Sequence, residues 1–126
     1  MASKIFTPAE ANRTLPLVRR IVADILNRGV ELRQLRDYSR PSQDRDDRLV
    51  EIGHEIHALI EEITSIGCEY KDWGFNQGLV DFPSIIDGEM VYLCWRSDEA
   101  EIAWYHGLRS GYAGRLALPE MGAEVE

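Results

Sequence analysis

At 126 residues and 44% hydrophobic content, the chain can close one core without help from disulfides or metals. Fourteen Lys and Arg against twenty-two Asp and Glu leave a net charge of -8, which excludes a general binder of phosphate backbones and predicts no nucleic-acid partner. No apolar run reaches membrane-spanning length, "MASKIFTPAE" lacks a signal-peptide hydrophobic region, and Cys68 and Cys94 show no CxxC spacing. The expectation is a cytoplasmic single domain over residues 1–126, with no membrane partner, two reduced thiols and no cofactor.

"FTPAEAN" opens a helix. Thr7 caps it, Pro8 takes the first helical position without losing a needed donor, and Glu10 completes a capping box. Pro16 predicts an interruption, so a short helix is followed by a longer one recapped near Thr14 and running to about Asp37. Leu15, Val18, Val22, Ile25 and Leu32 share its buried face. Gly29 stands where another apolar residue belongs, which predicts close approach of a second backbone. The Pro- and Ser-containing stretch "YSRPSQDRDD" is a loop, and a second helix runs from about Asp46 to Ile66. Leu49, Ile52, Ile56, Leu59, Ile63 and Ile66 recur at three and four, the spacing of a helix packed along its length on a partner, and Gly67 ends it. The product is an antiparallel helical hairpin. Residues 1–40 hold eight basic against four acidic side chains, so the two helices attract along their flanks, chiefly as solvated faces.

The segment from Gly78 to His106 reads as three strands. Asp87 and Gly88 form a favoured two-residue hairpin turn, and Ser97 with Asp98 form a second, less typical one. The first turn sets Phe82 opposite Leu93 and Asp81 opposite Cys94; the second sets Leu93 opposite Ile102 and Cys94 opposite Glu101. Alternation then places Val80, Phe82, Val91, Leu93, Trp95, Ile102 and Trp104 on one face, against the hairpin. "CEYK" can add a fourth strand beside Val80. The fold class is therefore α+β: a helical hairpin packed on one face of a three- to four-stranded antiparallel sheet over about 68–106, followed by a Gly/Arg loop and an acidic C-terminal tail. On the second face lie Asp81, Cys94 and Glu101 in one row, with Pro83, Ile85, Met90, Tyr92, Ala103 and Tyr105 beyond. That face is too apolar for full exposure, and predicts either a homodimer or a binding surface with aromatic walls and a small polar centre.

"FTPAEANRTLPLV", "GLVDFP", "VYLCWR" and "GYAGR" together resemble the uncharacterised bacterial family known as domain of unknown function 2203. The recurring elements fall on Phe6 to Asn12, Lys71 with Asp72, Gly78 to Pro83, Val91 to Trp95, His106, and Gly114 with Arg115. The chain departs from that pattern at Ser97-Asp98-Glu99, and where Tyr105 separates Trp104 from His106. The resemblance covers nearly the whole chain and implies no established activity.

Three constellations carry chemistry. In "HGLRSGYAGR", glycines at 107, 111 and 114 let backbone N–H groups converge while Arg109 and Arg115 supply fork-shaped donors. An anion such as a carboxylate or phosphate can be held there with His106, Lys71 and Asp81 at its edge; the structural alternative pairs Arg115 with Asp72, Asp81 or Glu99. In "EIGHEIHALIEE", Glu51, His54, His57 and Glu61 have the spacings of di-iron carboxylate bundles, yet they lie opposite the apolar stripe, so solvation is expected rather than a metal. In the sheet row, two carboxylates beside Cys94 raise its pKa and argue against a catalytic thiolate, leaving Cys94 as a buried filler. The leading expectation is a homodimeric, non-enzymatic module that binds a protein partner or a small anionic ligand. The alternative is a small enzyme with His106 as general acid or base and Arg109 and Arg115 holding an anionic substrate.

Overall fold

Thr7 opens the first helix as the sequence requires: its hydroxyl accepts from the Glu10 amide while the Glu10 carboxylate accepts from the Thr7 amide. In the computed structural model, which describes residues 4–119, helix α1 then runs unbroken over Pro8–Tyr38. The expected break at Pro16 does not occur. Proline there forfeits one backbone hydrogen bond, but Ala11, Leu15, Val18, Val22 and Ile25 on both sides of it are buried, and continuous packing outweighs the local defect. Thr14 donates to the Glu10 carbonyl and so stays inside the helix instead of capping a new one.

Helix α2 spans Gln43–Ile66, starting three residues before the predicted boundary because Ser42 caps it through the Arg45 amide. Gly67, in left-handed conformation, closes it. Ile52, Ile56 and Ile63 are buried against α1 and the sheet. Arg28 pairs with Glu55, and Arg48 bridges Glu31, Glu51 and Glu55. The flank attraction thus runs through both signs on both helices. Among the described residues no helix is long and apolar enough to cross a membrane.

Five strands follow in chain order as an antiparallel meander: β1 Glu69–Tyr70, β2 Leu79–Ile86, β3 Glu89–Arg96, β4 Trp104–Gly107 and β5 Leu116–Ala117. This confirms the helical hairpin on an antiparallel sheet, with five strands instead of three or four. The fourth strand expected from "CEYK" is β1, with Tyr70 opposite Val80. Asp87 and Gly88 both take positive φ, and the two-residue turn they make sets Asp81 opposite Cys94 and Phe82 opposite Leu93. Beyond β1 the free edge of β2 is paired by the N-terminal segment: the Phe6 amide donates to the Pro83 carbonyl, and Ser84 Oγ donates to the Phe6 carbonyl. The acidic C-terminal tail lies outside the described residues.

The second hairpin differs from expectation. Leu93 faces Tyr105 and Cys94 faces Trp104, a shift of three residues. Residues 97–103 leave the sheet to dock on α1, where the Asn12 side chain accepts from the Ile102 amide and Arg19 donates to the Glu99 and Ala100 carbonyls. Ile102 enters the core from this loop rather than from a strand. The shift turns Tyr105 toward the helices and Trp104 to the second face, and it leaves Glu101 exposed outside the row.

Gly29 is buried against the carbonyl of Phe75, in the loop between β1 and β2, as its place in the apolar stripe implied; an added Cβ would lie 2.4 Å from that oxygen. Gly29→Ala is expected to cost about 3 kcal/mol in overlap against about 1 kcal/mol gained in helix propensity. Urea unfolding checks the net loss of about 2 kcal/mol. A variant as stable as the parent would show that the loop moves aside freely.

Candidate functional site

The sheet's second face gathers polar groups because three strands bring them to one point. Asp81 on β2 and His106 on β4 are two strands apart, with Cys94 on β3 between them. Roughly 10 Å separates alternate strands, so it is the reach of the imidazole that lets β4 meet β2. His106 Nε2 lies 3.0 Å from Asp81 Oδ2. Asp81, Cys94 and His106 are all buried, and their ligating atoms lie within 4.8 Å of one another.

Hydrogen bonding orients the imidazole. Nδ1 is 2.7 Å from the Gly107 carbonyl, which can only accept, so Nδ1 carries a proton and Nε2 is turned onto the carboxylate. Burial pushes the Asp81 carboxyl up from its ordinary value, outweighing the attraction of His106 and Lys71. Burial also pushes the Cys94 thiol up to about 11, with Asp81 adding to the shift and Arg115 opposing it. Cys94 is no nucleophile in this state.

Residues 108–112 rise beside this floor and close a cavity of about 330 Å³. Lys71, Tyr92, Leu108, Arg109 and Tyr112 line it above Asp81, Cys94 and His106. The chain's own loop therefore walls the centre of the apolar second face, while Ile85 and Met90 at the hairpin tip stay about half exposed. Lys71 sits 3.0 Å from the Glu69 carboxylate, which in turn accepts from the Tyr92 hydroxyl. Arg109 makes no ion pair among the described residues.

Arg115 is placed differently. Its guanidinium pairs with the Glu99 carboxylate through both terminal nitrogens and stacks between Trp104 and Tyr112, 4.7 and 4.5 Å from the ring centroids. It touches the floor only at Cys94, 3.9 Å from Sγ. Of the alternatives open in the sequence, Arg115 takes the pairing with Glu99, and it is not among the residues that line the cavity. Glu51, His54, His57 and Glu61 stand exposed on α2, Glu51 bonded to Arg48 and His57 3.3 Å from Glu61.

Lys71, Asp81, His106 and Arg109 thus surround one cavity. Sequence reasoning missed Cys94 as part of its floor with His106, and Tyr92 and Tyr112 as its walls. The alternation in "WYHG" was the available signal, since placing Trp104 and His106 together on the second face brings the imidazole to Asp81.

A helical hairpin backing an antiparallel meander, with a polar cavity on the sheet's far face, defines an α+β domain built around a small-molecule-sized recess. Residues 4–118 match the family model described as "Uncharacterized conserved protein (DUF2203)", and the chain belongs to that family. No curated protein and no solved structure matches it.

Proposed function

We propose that the protein is a binding module whose cavity takes a small anionic ligand, a carboxylate or a phosphate. The observation that carries this reading is that Arg109, an exposed arginine with no ion pair among the described residues, lines a cavity of about 330 Å³. Such a volume falls at the lower end of the range for ligand sites, roughly 300–1,000 Å³. Lys71, paired with Glu69, also lines the cavity, and Tyr92 and Tyr112 supply aromatic walls with polar tips. The alternative of a small enzyme using His106 as general acid or base is less well supported, because both ring nitrogens already have partners.

Calorimetric titration with phosphate, acetate, malonate and citrate tests the proposal. At least one anion should bind, and Arg109→Gln should weaken it about ten- to a hundredfold, the loss of a charge-assisted pair of donors. Arg115→Lys should lower the unfolding temperature and leave that affinity within about twofold, since an ammonium cannot reproduce the paired contact with Glu99. No heat with any anion, or equal binding by the Arg109 variant, would defeat the reading.

A further inference from the structure

The contact between His106 and Asp81 is chemically incomplete. With Nδ1–H committed to the Gly107 carbonyl, Nε2 presents a lone pair to a carboxylate oxygen at 3.0 Å. Two acceptors at that distance need a positive particle between them: a proton, carried by the ring or by the carboxyl, or a metal ion. A histidine that donates one ring N–H to a backbone carbonyl and turns the other nitrogen inward has the arrangement of a metal ligand. The third group at this point is a cysteine sulfur.

We propose that Asp81, Cys94 and His106 form a zinc centre at the base of the cavity. The inference deepens the binding proposal, on which it rests for the open side of the site. Tetrahedral zinc bonds of about 2.0 Å to nitrogen and oxygen and 2.3 Å to sulfur place ligand atoms roughly 3.3–3.5 Å apart. The 3.0 Å separation of Nε2 and Oδ2 and the 4.8 Å limit on the trio need only small side-chain rotations to reach that geometry. One carboxylate, one imidazole and one thiolate give a mixed oxygen, nitrogen and sulfur set that suits zinc and excludes magnesium and calcium. The three ligands come from adjacent strands of one sheet, whose pairing fixes their spacing before any metal arrives.

Three protein ligands leave a fourth position, and the cavity that Asp81, Cys94 and His106 line gives it an opening. Asp81 and Cys94 as anions balance the charge of the ion, and Lys71 is offset by Glu69, so Arg109 remains to draw an anionic ligand onto it. Binding releases the Cys94 proton to solvent. Arg115, 3.9 Å from Sγ, then faces a thiolate in place of a thiol.

Cobalt(II), a spectroscopic substitute for zinc, gives the sharpest test. Purified protein stripped with chelator and titrated with cobalt should develop a thiolate-to-metal charge-transfer band and strong visible bands at one equivalent, and zinc should bleach them. Cys94→Ser should lose the charge-transfer band, and His106→Gln and Asp81→Asn should each bind zinc at least a hundredfold more weakly by competition with a chromophoric chelator. Circular dichroism and unfolding temperature show which variants remain folded, and Cys94→Ser, the smallest change, decides the matter if the others do not. The His54→Gln/His57→Gln variant should bind like the parent. Metal bound equally by parent and Cys94→Ser, lost instead with His54 and His57, or absent at micromolar cobalt in the folded parent, would overturn the proposal. Titration of the metal-free protein with phosphate and malonate keeps the two proposals apart, because anion binding there without cobalt binding would remove the metal and leave the cavity reading intact.

Discussion

Glu99→Ala should destabilise the protein by about 3–5 kcal/mol, the cost of leaving a buried guanidinium without its partner. The Arg115 and Glu99 side chains are only 12% and 16% exposed, too dry for water to replace the lost carboxylate. Glu99 also accepts from the Arg96 amide, so its loss frees the turn that lifts residues 97–103 off the sheet. Thermal unfolding checks the magnitude, and the double variant Glu99→Ala/Arg115→Met checks the cause. A methionine between Trp104 and Tyr112 removes the orphan charge and packs on both rings, so the double variant should recover at least half the loss. If it is no more stable than the single variant, the guanidinium was not the source of the penalty.

Asp72→Ala is expected to cost about 3 kcal/mol, roughly 10 °C in Tm. One oxygen, Oδ2, accepts from the amides of Asn76, Gln77 and Gly78 and from the Tyr70 hydroxyl, and so ties the whole loop between β1 and β2. Burial by itself would raise the Asp72 pKa, but the three amides overcome it and hold the carboxyl below its ordinary value. Folding therefore favours the ionised form. Its contribution is fully present above the unfolded value of about 3.9 and disappears as pH falls through the lower folded value. Urea unfolding of parent and variant from pH 7 down to pH 2 should show the gap between them narrowing only at the acid end. A gap constant across that range would mean that the carboxylate charge does not hold the loop.

The parts of the fold that were legible in the sequence are those set by local rules. The Thr7 capping box, the three-and-four spacing of α2, and the Asp87–Gly88 turn each act within a few residues, and a two-residue turn admits one register, so Asp81 and Cys94 could be paired from sequence. Gly29 was legible for another reason, since a glycine in an apolar stripe has few explanations besides close approach. The β3 to β4 register was not legible because distant partners set it: Asn12 and Arg19 hold the loop on α1, and Arg115 captures Glu99. A turn assigned from Ser97 and Asp98 alone had no access to those contacts. That one error carried the site with it, putting Glu101 opposite Cys94 where Trp104 belongs and sending Trp104 to the wrong face. The break expected at Pro16 failed similarly, because propensity is local and the burial of α1 is not.

The cavity is the point on which the functional account turns, and a chain of 14.4 kDa is small enough for residue-by-residue observation in solution. Amide proton–nitrogen correlation spectra recorded during titration with phosphate and malonate locate any bound anion directly. The account predicts saturable shifts concentrated at Lys71, Leu79, Cys94, Arg109 and Gly111, lost in Arg109→Gln. Shifts confined to the exposed face of α2 around His54 and His57, or no saturable shift at any concentration up to the millimolar range, would contradict it.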